Sequence, residues 1–182
     1  MAALVRRGRC HVYGDHLPLD EGIMPFRLAI QRVNDPQALI PHLFEGFDPG
    51  FRERVKPGDF IIAGRDFACG KTHIQGFIAM TALKMSVLCT SMPYKAMRRA
   101  VAEGLPVLVG CEGAAAFAAT GDEIEVDFST GGARNLTRGS VKQFPAMSPI
   151  LRELAASGGA RGALTAWLRD HPEQAAGETV KP

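Results

Sequence analysis

The stretch from residue 58 to residue 73 constrains the fold of this chain more than any other. A short apolar run at residues 59–63 leads through a glycine-bracketed turn at 64–70 into residues 75–83, which are apolar enough for a buried helix. A strand, a tight turn and a helix in succession leave backbone N–H groups unpaired at the corner, with the positive end of the helix dipole behind them. The stretch therefore predicts a site for an anionic substrate, which the polar side chains of the turn would contact.

The rest of the chain alternates between segments typical of strands and segments typical of helices. Strands are predicted at 5–13, 59–63, 86–90 and 105–109, and helices at 37–44, 75–83, 94–103, 150–155 and 163–170. Asp35 is expected to cap the first of these helices, with Pro36 at its first position. A further strand at 123–128 turns back near 135–137, which predicts an antiparallel excursion near the C-terminus. The alternation of strands and helices indicates an α/β fold.

The length and composition are those of one globular domain. We predict a single domain at residues 1–172 of the 182, followed by a disordered tail at 173–182. The net charge of +2 gives no reason to expect nucleic acid or a membrane surface as a partner. No apolar run approaches the roughly 20 residues of a membrane span. Because no apolar region follows the basic residues near the N-terminus, we expect a cytoplasmic protein.

The cysteines and histidines are too scattered to predict a metal site. Neither a C-x-x-C pair nor an H-x-x-x-H pattern occurs among Cys10, Cys69, Cys89, Cys111, His11, His16, His42, His73 and His171. Disulfides are not expected in a reducing compartment. We therefore expect that this chain binds no metal by itself.

Four segments carry motifs of a known family. They read G-I-M-P-F-R-L at 22–28, after the acidic pair at 20–21; L-F-E-G-F-D-P-G-F at 43–51, continuing to A-G-R-D-F at 63–67; S-M-P-Y at 91–94 with E-G-L-P-V at 103–107; and G-D-E-I-E-V-D at 121–127 with N-L-T at 135–137. In this order, over about residues 10–170, they resemble the small, swivelling subunit of isopropylmalate dehydratases and aconitases. In that family the first motif reads I-I-P-A-R-Y, and the second ends in G-R-N-F-G-C-G.

The resemblance implies a fold, a partner and a reaction. The fold would be a three-layer β/β/α swivelling domain that closes over a larger subunit, which carries a [4Fe–4S] cluster on three cysteines. The reaction would be the reversible loss and addition of water on a hydroxy carboxylic acid. In that chemistry an open iron is a Lewis acid for the substrate, and a hydroxyl of the small subunit is the base. By this resemblance the chain is inactive without its large subunit.

The turn departs from the family where the resemblance places catalytic residues. The family reads G-S-S-R-E, and this chain reads Gly70-Lys71-Thr72-His73-Ile74. By position, Lys71 replaces the serine that acts as base, and Thr72 keeps a hydroxyl in place of a substrate-binding serine. His73 replaces an arginine, whose bidentate grip on a carboxylate an imidazole cannot reproduce. We take Lys71, Thr72 and His73 as candidate catalytic residues.

Each candidate has two interpretations. Lys71 is either a base, which requires that a lysine pKa fall by several units on burial, or a charged group that attracts the substrate or an acidic partner surface. His73 is either a hydrogen-bonding residue at the helix start or a carboxylate contact and proton carrier.

Substrate-binding candidates are Arg27, Gly70 and Ser91. Arg27 lies in the loop that sets substrate choice in the resembled family; otherwise it is an exposed loop charge. Ser91 either lines the cleft or caps the helix that follows it. Arg98 and Arg99 are interpreted as a solvated helix face.

These residues lead to an enzyme hypothesis and two rivals. The first is the small subunit of a heteromeric, iron–sulfur-dependent hydro-lyase or isomerase, whose altered turn indicates a substrate unlike isopropylmalate. The second is a non-catalytic paralogue that serves as a structural or regulatory partner of a large subunit. The third is a single-subunit enzyme that uses Lys71 covalently through a Schiff base.

Overall fold

A seven-stranded sheet organises the chain, which is described here over residues 4–175 of a computed structural model. The strands are β1 (Val5–Val12), β2 (Phe60–Ala63), β3 (Ser86–Cys89), β4 (Val107–Leu108), β5 (Glu123–Asp127), β6 (Gly132–Asn135) and β7 (Ser140–Gln143). They lie in the order β4-β3-β2-β1-β5-β6-β7.

The first strand belongs to both halves of this sheet. Its C-terminal part pairs in parallel with β2, from Cys10 opposite Phe60 to Val12 opposite Ile62. Its N-terminal part pairs antiparallel with β5, with Val5 opposite Asp127. The strands β4-β3-β2-β1 form a parallel half and β1-β5-β6-β7 an antiparallel half, so the predicted antiparallel excursion is confirmed.

Two hydrophobic clusters separate three layers. One face of the parallel strands, with Ile61 and Val87, packs against the helices. The opposite face, with Phe60 and Leu88, shares a cluster with Val126 of the antiparallel half. Because alternate residues of a strand point to opposite faces, the parallel half is covered on one side by helices and on the other by the curled antiparallel half. This arrangement confirms the predicted three-layer β/β/α fold.

The helices are mostly short. They are α1 (Phe26–Ile30), α2 (Pro36–Leu39), a 3₁₀ turn (Ile40–His42), α3 (Phe51–Arg54), α4 (Gln75–Ala82), α5 (Tyr94–Ala102), α6 (Ala114–Phe117), α7 (Pro149–Ala156), α8 (Gly159–Asp170) and α9 (Pro172–Ala175). As predicted, the Asp35 side chain caps α2, accepting from Gln37 N at 3.0 Å. The helix predicted at 37–44 is nevertheless only α2 and the 3₁₀ turn, because Pro41 has no N–H to donate to a longer helix.

Several predicted boundaries are wrong or incomplete. The return strand of the hairpin is β6 rather than residues 135–137, and the sequence did not reveal β7, α1, α3 or α6. These missed elements span only four or five residues each, which is too short for a periodic pattern. Of the predicted tail, residues 173–175 belong to α9, and residues 176–182 lie outside the described part. Between residues 4 and 175, no helix is long and apolar enough to cross a membrane.

Candidate functional site

The turn after β2 is built from unusual backbone conformations. Asp66, Ala68 and Gly70 have φ values of 54°, 60° and 91°. For the two non-glycine residues this left-handed backbone costs about 1 kcal/mol each. Backbone hydrogen bonds to an earlier segment of the same chain hold the turn. Leu19 N donates to Cys69 O at 3.0 Å, and Cys69 N donates to Leu17 O at 3.3 Å. The strained turn is therefore fixed in place against the loop that precedes α1.

The helix that follows the turn begins where the sequence predicts, at Gln75. Its N-cap residue is Ile74, whose side chain cannot cap, so the first-turn N–H groups have no side-chain acceptor at this position. Lys71, Thr72 and His73 lie between the turn and the helix, outside regular structure. The predicted strand–turn–helix corner is present.

A cleft of about 910 Å³ lies between this segment and α5. Its lining is Gly70, Lys71, Thr72, His73, Lys95, Arg98, Arg99 and Ala102. Four of these residues are lysine or arginine, and Ala102 has the largest wholly aliphatic side chain. The cleft therefore suits an anionic ligand.

The contribution of α5 was missed by the sequence analysis. Arg98 and Arg99 are exposed, as expected for a solvated face, but that face lines the cleft. The four lining residues that belong to α5 follow the spacing i, i+3, i+4 and i+7, which places them on one side of the helix. They are Lys95, Arg98, Arg99 and Ala102. This spacing was a usable signal, although only the tertiary structure sets it opposite Lys71.

A carboxylate lies against His73 in the structure. His73 Nδ1 is 2.8 Å from Asp20 Oδ1 and 3.0 Å from Asp20 Oδ2. The Phe26 ring lies with its centroid 5.0 Å from that of the imidazole. The predicted bonding of His73 to a neighbour is thus present, and the same side chain also faces the cleft.

Two predicted substrate-binding residues, Arg27 and Ser91, are not among the residues that line the cleft. Arg27 Nη2 is 2.8 Å from Glu45 Oε1 and 3.2 Å from His42 Nδ1. Ser91 Oγ accepts from Asp66 N at 2.9 Å. The alternative prediction, that Ser91 caps α5, is wrong: the N-cap residue is Pro93, and no side chain caps that helix, because Ser91 is engaged by the Asp66 turn.

The residues that the structure describes do not fit an iron–sulfur cluster. Within residues 4–175, no three His, Cys, Asp or Glu side chains are grouped as metal ligands. Burial raises the pKa of Cys10, Cys89 and Cys111 to about 12, so these thiols are protonated at neutral pH. Cys69 is partly buried beside the turn.

Comparison with known proteins gives consistent matches along the chain. No family model matches it. It is 34% identical over 157 residues to the 3-isopropylmalate dehydratase small subunit of Moorella thermoacetica, covering 86% of this chain and 92% of that protein. It is also 34% identical over 154 residues to the 2,3-dimethylmalate dehydratase small subunit of Eubacterium barkeri, covering 84% and 92%. The crystal structure of 3-isopropylmalate dehydratase from Methanocaldococcus jannaschii superposes with a TM-score of 0.80, at 26% identity, over 94% of this chain and 99% of that one.

Proposed function

Because the chain belongs to the family of 3-isopropylmalate dehydratase small subunits, we propose that it forms a heteromeric hydro-lyase with a large subunit and acts on a hydroxy carboxylic acid other than isopropylmalate. The observation that carries this proposal is the cationic cleft between the rewritten turn and α5. Membership of a small-subunit family implies the large partner. We expect the large subunit to hold the iron–sulfur cluster, since the residues described in this chain do not suit one.

The cleft favours carboxylates over alkyl groups. Lys71, Lys95, Arg98 and Arg99 supply positive charge from both of its walls. A charge-assisted hydrogen bond from such a group is roughly twice as strong as a neutral one. Apart from Ala102, the residues of the lining offer no wholly aliphatic side chain against which a branched alkyl substituent could pack. The lining therefore supports a substrate whose groups are mainly anionic or polar where they meet this subunit.

The turn residues have separable roles in this proposal. Lys71 is exposed in the single chain, which favours its role as an anion contact. Thr72 can donate its hydroxyl hydrogen to a substrate carboxylate. Gly70 lets the substrate approach the backbone: no atom lies within 4 Å of the place where a Cβ would stand, and its φ of 91° favours glycine.

The names of the relatives support a range of substrates in this family. One relative is named for 3-isopropylmalate and another for 2,3-dimethylmalate, although both match this chain at 34% identity. Overall sequence identity therefore does not identify the substrate, which depends on the residues that line the cleft.

Activity of the reconstituted pair tests the proposal. The chain and the large subunit from the same genome would be combined anaerobically and supplied with a panel of hydroxy acids and their unsaturated counterparts. We expect hydration or dehydration that requires this chain, with polar or anionic acids turned over faster than isopropylmalate. Stable association without activity on any acid would instead support the non-catalytic paralogue, and a preference for isopropylmalate would contradict the substrate assignment.

A further inference from the structure

The imidazole of His73 is held at one nitrogen and free at the other. Both Asp20 oxygens lie within 3.0 Å of Nδ1. A carboxylate accepts hydrogen bonds, so the proton of the neutral ring is on Nδ1 and the lone pair is on Nε2. Within residues 4–175, Nε2 has no hydrogen-bond partner, and the side chain lines the cleft.

The surroundings of this pair restrict the ring. Phe26, at the start of α1, packs on one side with a centroid distance of 5.0 Å. The His73 side chain is 33% exposed and that of Asp20 is 25% exposed. A partly buried imidazole that is fixed by a carboxylate and an aromatic ring has few alternative orientations, and its open nitrogen is the one available to a ligand.

We propose that Asp20 is a positioning residue that holds His73 in the Nδ1–H tautomer, and that His73 Nε2 takes and returns the proton of the substrate during the hydro-lyase reaction. This inference rests on the proposed function and assigns the proton-carrying group within it. In the dehydration direction Nε2 accepts the proton from carbon. The C–H electron pair becomes the second bond of the C=C, and the hydroxyl leaves as hydroxide with the C–O pair. The imidazolium then gives its proton through solvent to that hydroxide, so that water is released and the ring is neutral again. The protonated ring returns the proton in the hydration direction.

The charges around the ring are consistent with this role. Asp20 in the loop before α1 is the carboxylate that contacts the ring. Lys71, together with Lys95, Arg98 and Arg99 of α5, lines the same cleft as the ring. Charges of both signs therefore surround the group that this proposal makes the proton carrier.

A second histidine–carboxylate pair provides a matched control. His42 Nδ1 contacts Glu45 Oε2, and the His42 side chain is also 33% exposed. His42 is not among the residues that line the cleft. The two histidines therefore have the same exposure and each contacts a carboxylate, whereas His42 also contacts Arg27 and lies outside the cleft.

The tautomer can be measured on this chain without its partner. Imidazole ¹⁵N shifts, assigned with His73→Gln, should show Nδ1 protonated and Nε2 bare in the neutral form of the wild-type chain. In Asp20→Asn this preference should be lost, because the amide can donate to Nδ1, while the amide spectrum outside the loop is unchanged. A wild-type ring with the proton on Nε2 would overturn the inference.

Kinetics of the reconstituted complex test the second part of the proposal, proton transfer by His73. General acid–base catalysis typically contributes 10²–10⁴-fold. We therefore expect His73→Gln to lower kcat at least about 100-fold and Asp20→Asn to lower kcat with little change in KM, while His42→Gln has wild-type rates. Unchanged kcat in His73→Gln and Asp20→Asn in an active complex would overturn the inference. A complex inactive on every acid would refute the proposed function instead, and the ¹⁵N measurement would still decide the tautomer.

Discussion

At the scale of single residues, the carboxylate of Asp59 ties the start of β2 to β1. It accepts from Lys56 N at 2.8 Å and Arg9 N at 3.2 Å, and it contacts His11 Nε2 at 2.9 Å. Asp59 and His11 are both buried. One short side chain therefore accepts from two backbone donors and contacts one nitrogen of a buried imidazole, next to the parallel pairing that leads to the site.

We predict that Asp59→Ala destabilises the chain by about 3 kcal/mol, since it leaves buried donors without an acceptor. The free energy of unfolding in urea measures this cost. Asp170→Ala, at an exposed aspartate, is the control and should change stability by less than about 0.5 kcal/mol. Equal effects of the two substitutions would show that the Asp59 contacts contribute little.

Lys71 carries the second residue-scale prediction. Lys71→Ala should abolish turnover of the reconstituted complex without unfolding the chain, because the lysine is exposed and lies in the cleft. Lys56→Ala removes another exposed lysine, outside the cleft, and should have no effect. Steady-state rates and circular dichroism of both variants provide the measurement, and full activity of Lys71→Ala would exclude any catalytic part for it.

At the scale of elements, a polar cluster joins the β5–β6 hairpin to the end of α6 and the segment that follows it. Asp122 Oδ2 accepts from Ala119 N and Asn135 Nδ2, each at 2.9 Å, and pairs with Arg138. Asn135 Nδ2 also donates to Phe117 O at 2.9 Å. Burial works against ionisation of Asp122, but these donors outweigh it and hold the pKa of this carboxyl below its ordinary value of 3.8.

The depressed pKa gives this cluster a pH dependence of known sign. The stability that Asp122 contributes is fully present well above pH 3.8 and is lost as the pH falls through the lower pKa of the folded state. Asp122→Asn should therefore be less stable than wild type by about 1–3 kcal/mol at pH 7. The difference should shrink below about pH 4. Urea unfolding of both proteins between pH 7 and pH 3 measures it, and a difference independent of pH would contradict the assignment.

Helix α5 makes its own element-scale prediction. Arg98 and Arg99 lie on the turn of α5 that lines the cleft, so Arg98→Gln combined with Arg99→Gln should raise KM for an anionic substrate about 10–100-fold and affect kcat less. Arg169→Gln on α8, an exposed arginine elsewhere, is the matched control. Initial rates over a range of substrate concentrations separate the two constants. A KM equal to that of the control would remove α5 from the substrate site.

At the scale of the whole molecule, the cleft is open on the single chain, with Lys71 and the arginines of α5 exposed. Exposed charges in water interact weakly, and exclusion of water strengthens their hold on an anion. A large subunit that closes over this side would supply that exclusion, which agrees with the small-subunit family to which the chain belongs.

We therefore predict that the isolated chain has no hydro-lyase activity and that turnover rises with added large subunit until the two are equimolar. A titration at fixed concentration of this chain measures the dependence. Turnover by the chain alone would favour the Schiff-base alternative, which borohydride trapping at Lys71 with a keto acid would then test.

The local sequence determined the elements that depend on local interactions. The strand at 59–63, the helix that begins at Gln75 and the Asp35 cap are set by neighbouring residues, so their patterns were sufficient to predict them. The family motifs likewise predicted the β/β/α fold, because the four segments that carry them occur in the same order as in the family. Elements of four or five residues escaped prediction, since they are stabilised by packing rather than by their own periodicity.

Only the tertiary structure decided how distant segments meet. Asp20 and His73 are 53 residues apart in the chain, and the cations of α5 approach the turn because β2 and β3 are neighbours in the sheet. Similarly, β1 pairs with both β2 and β5, which no pattern within β1 specifies. Such contacts depend on sheet order and on loops that bring remote residues together, whereas sequence periodicity reports only which face of its own element a residue occupies. The sequence thus determined which chemical groups the turn carries, and the fold determined which partners surround them.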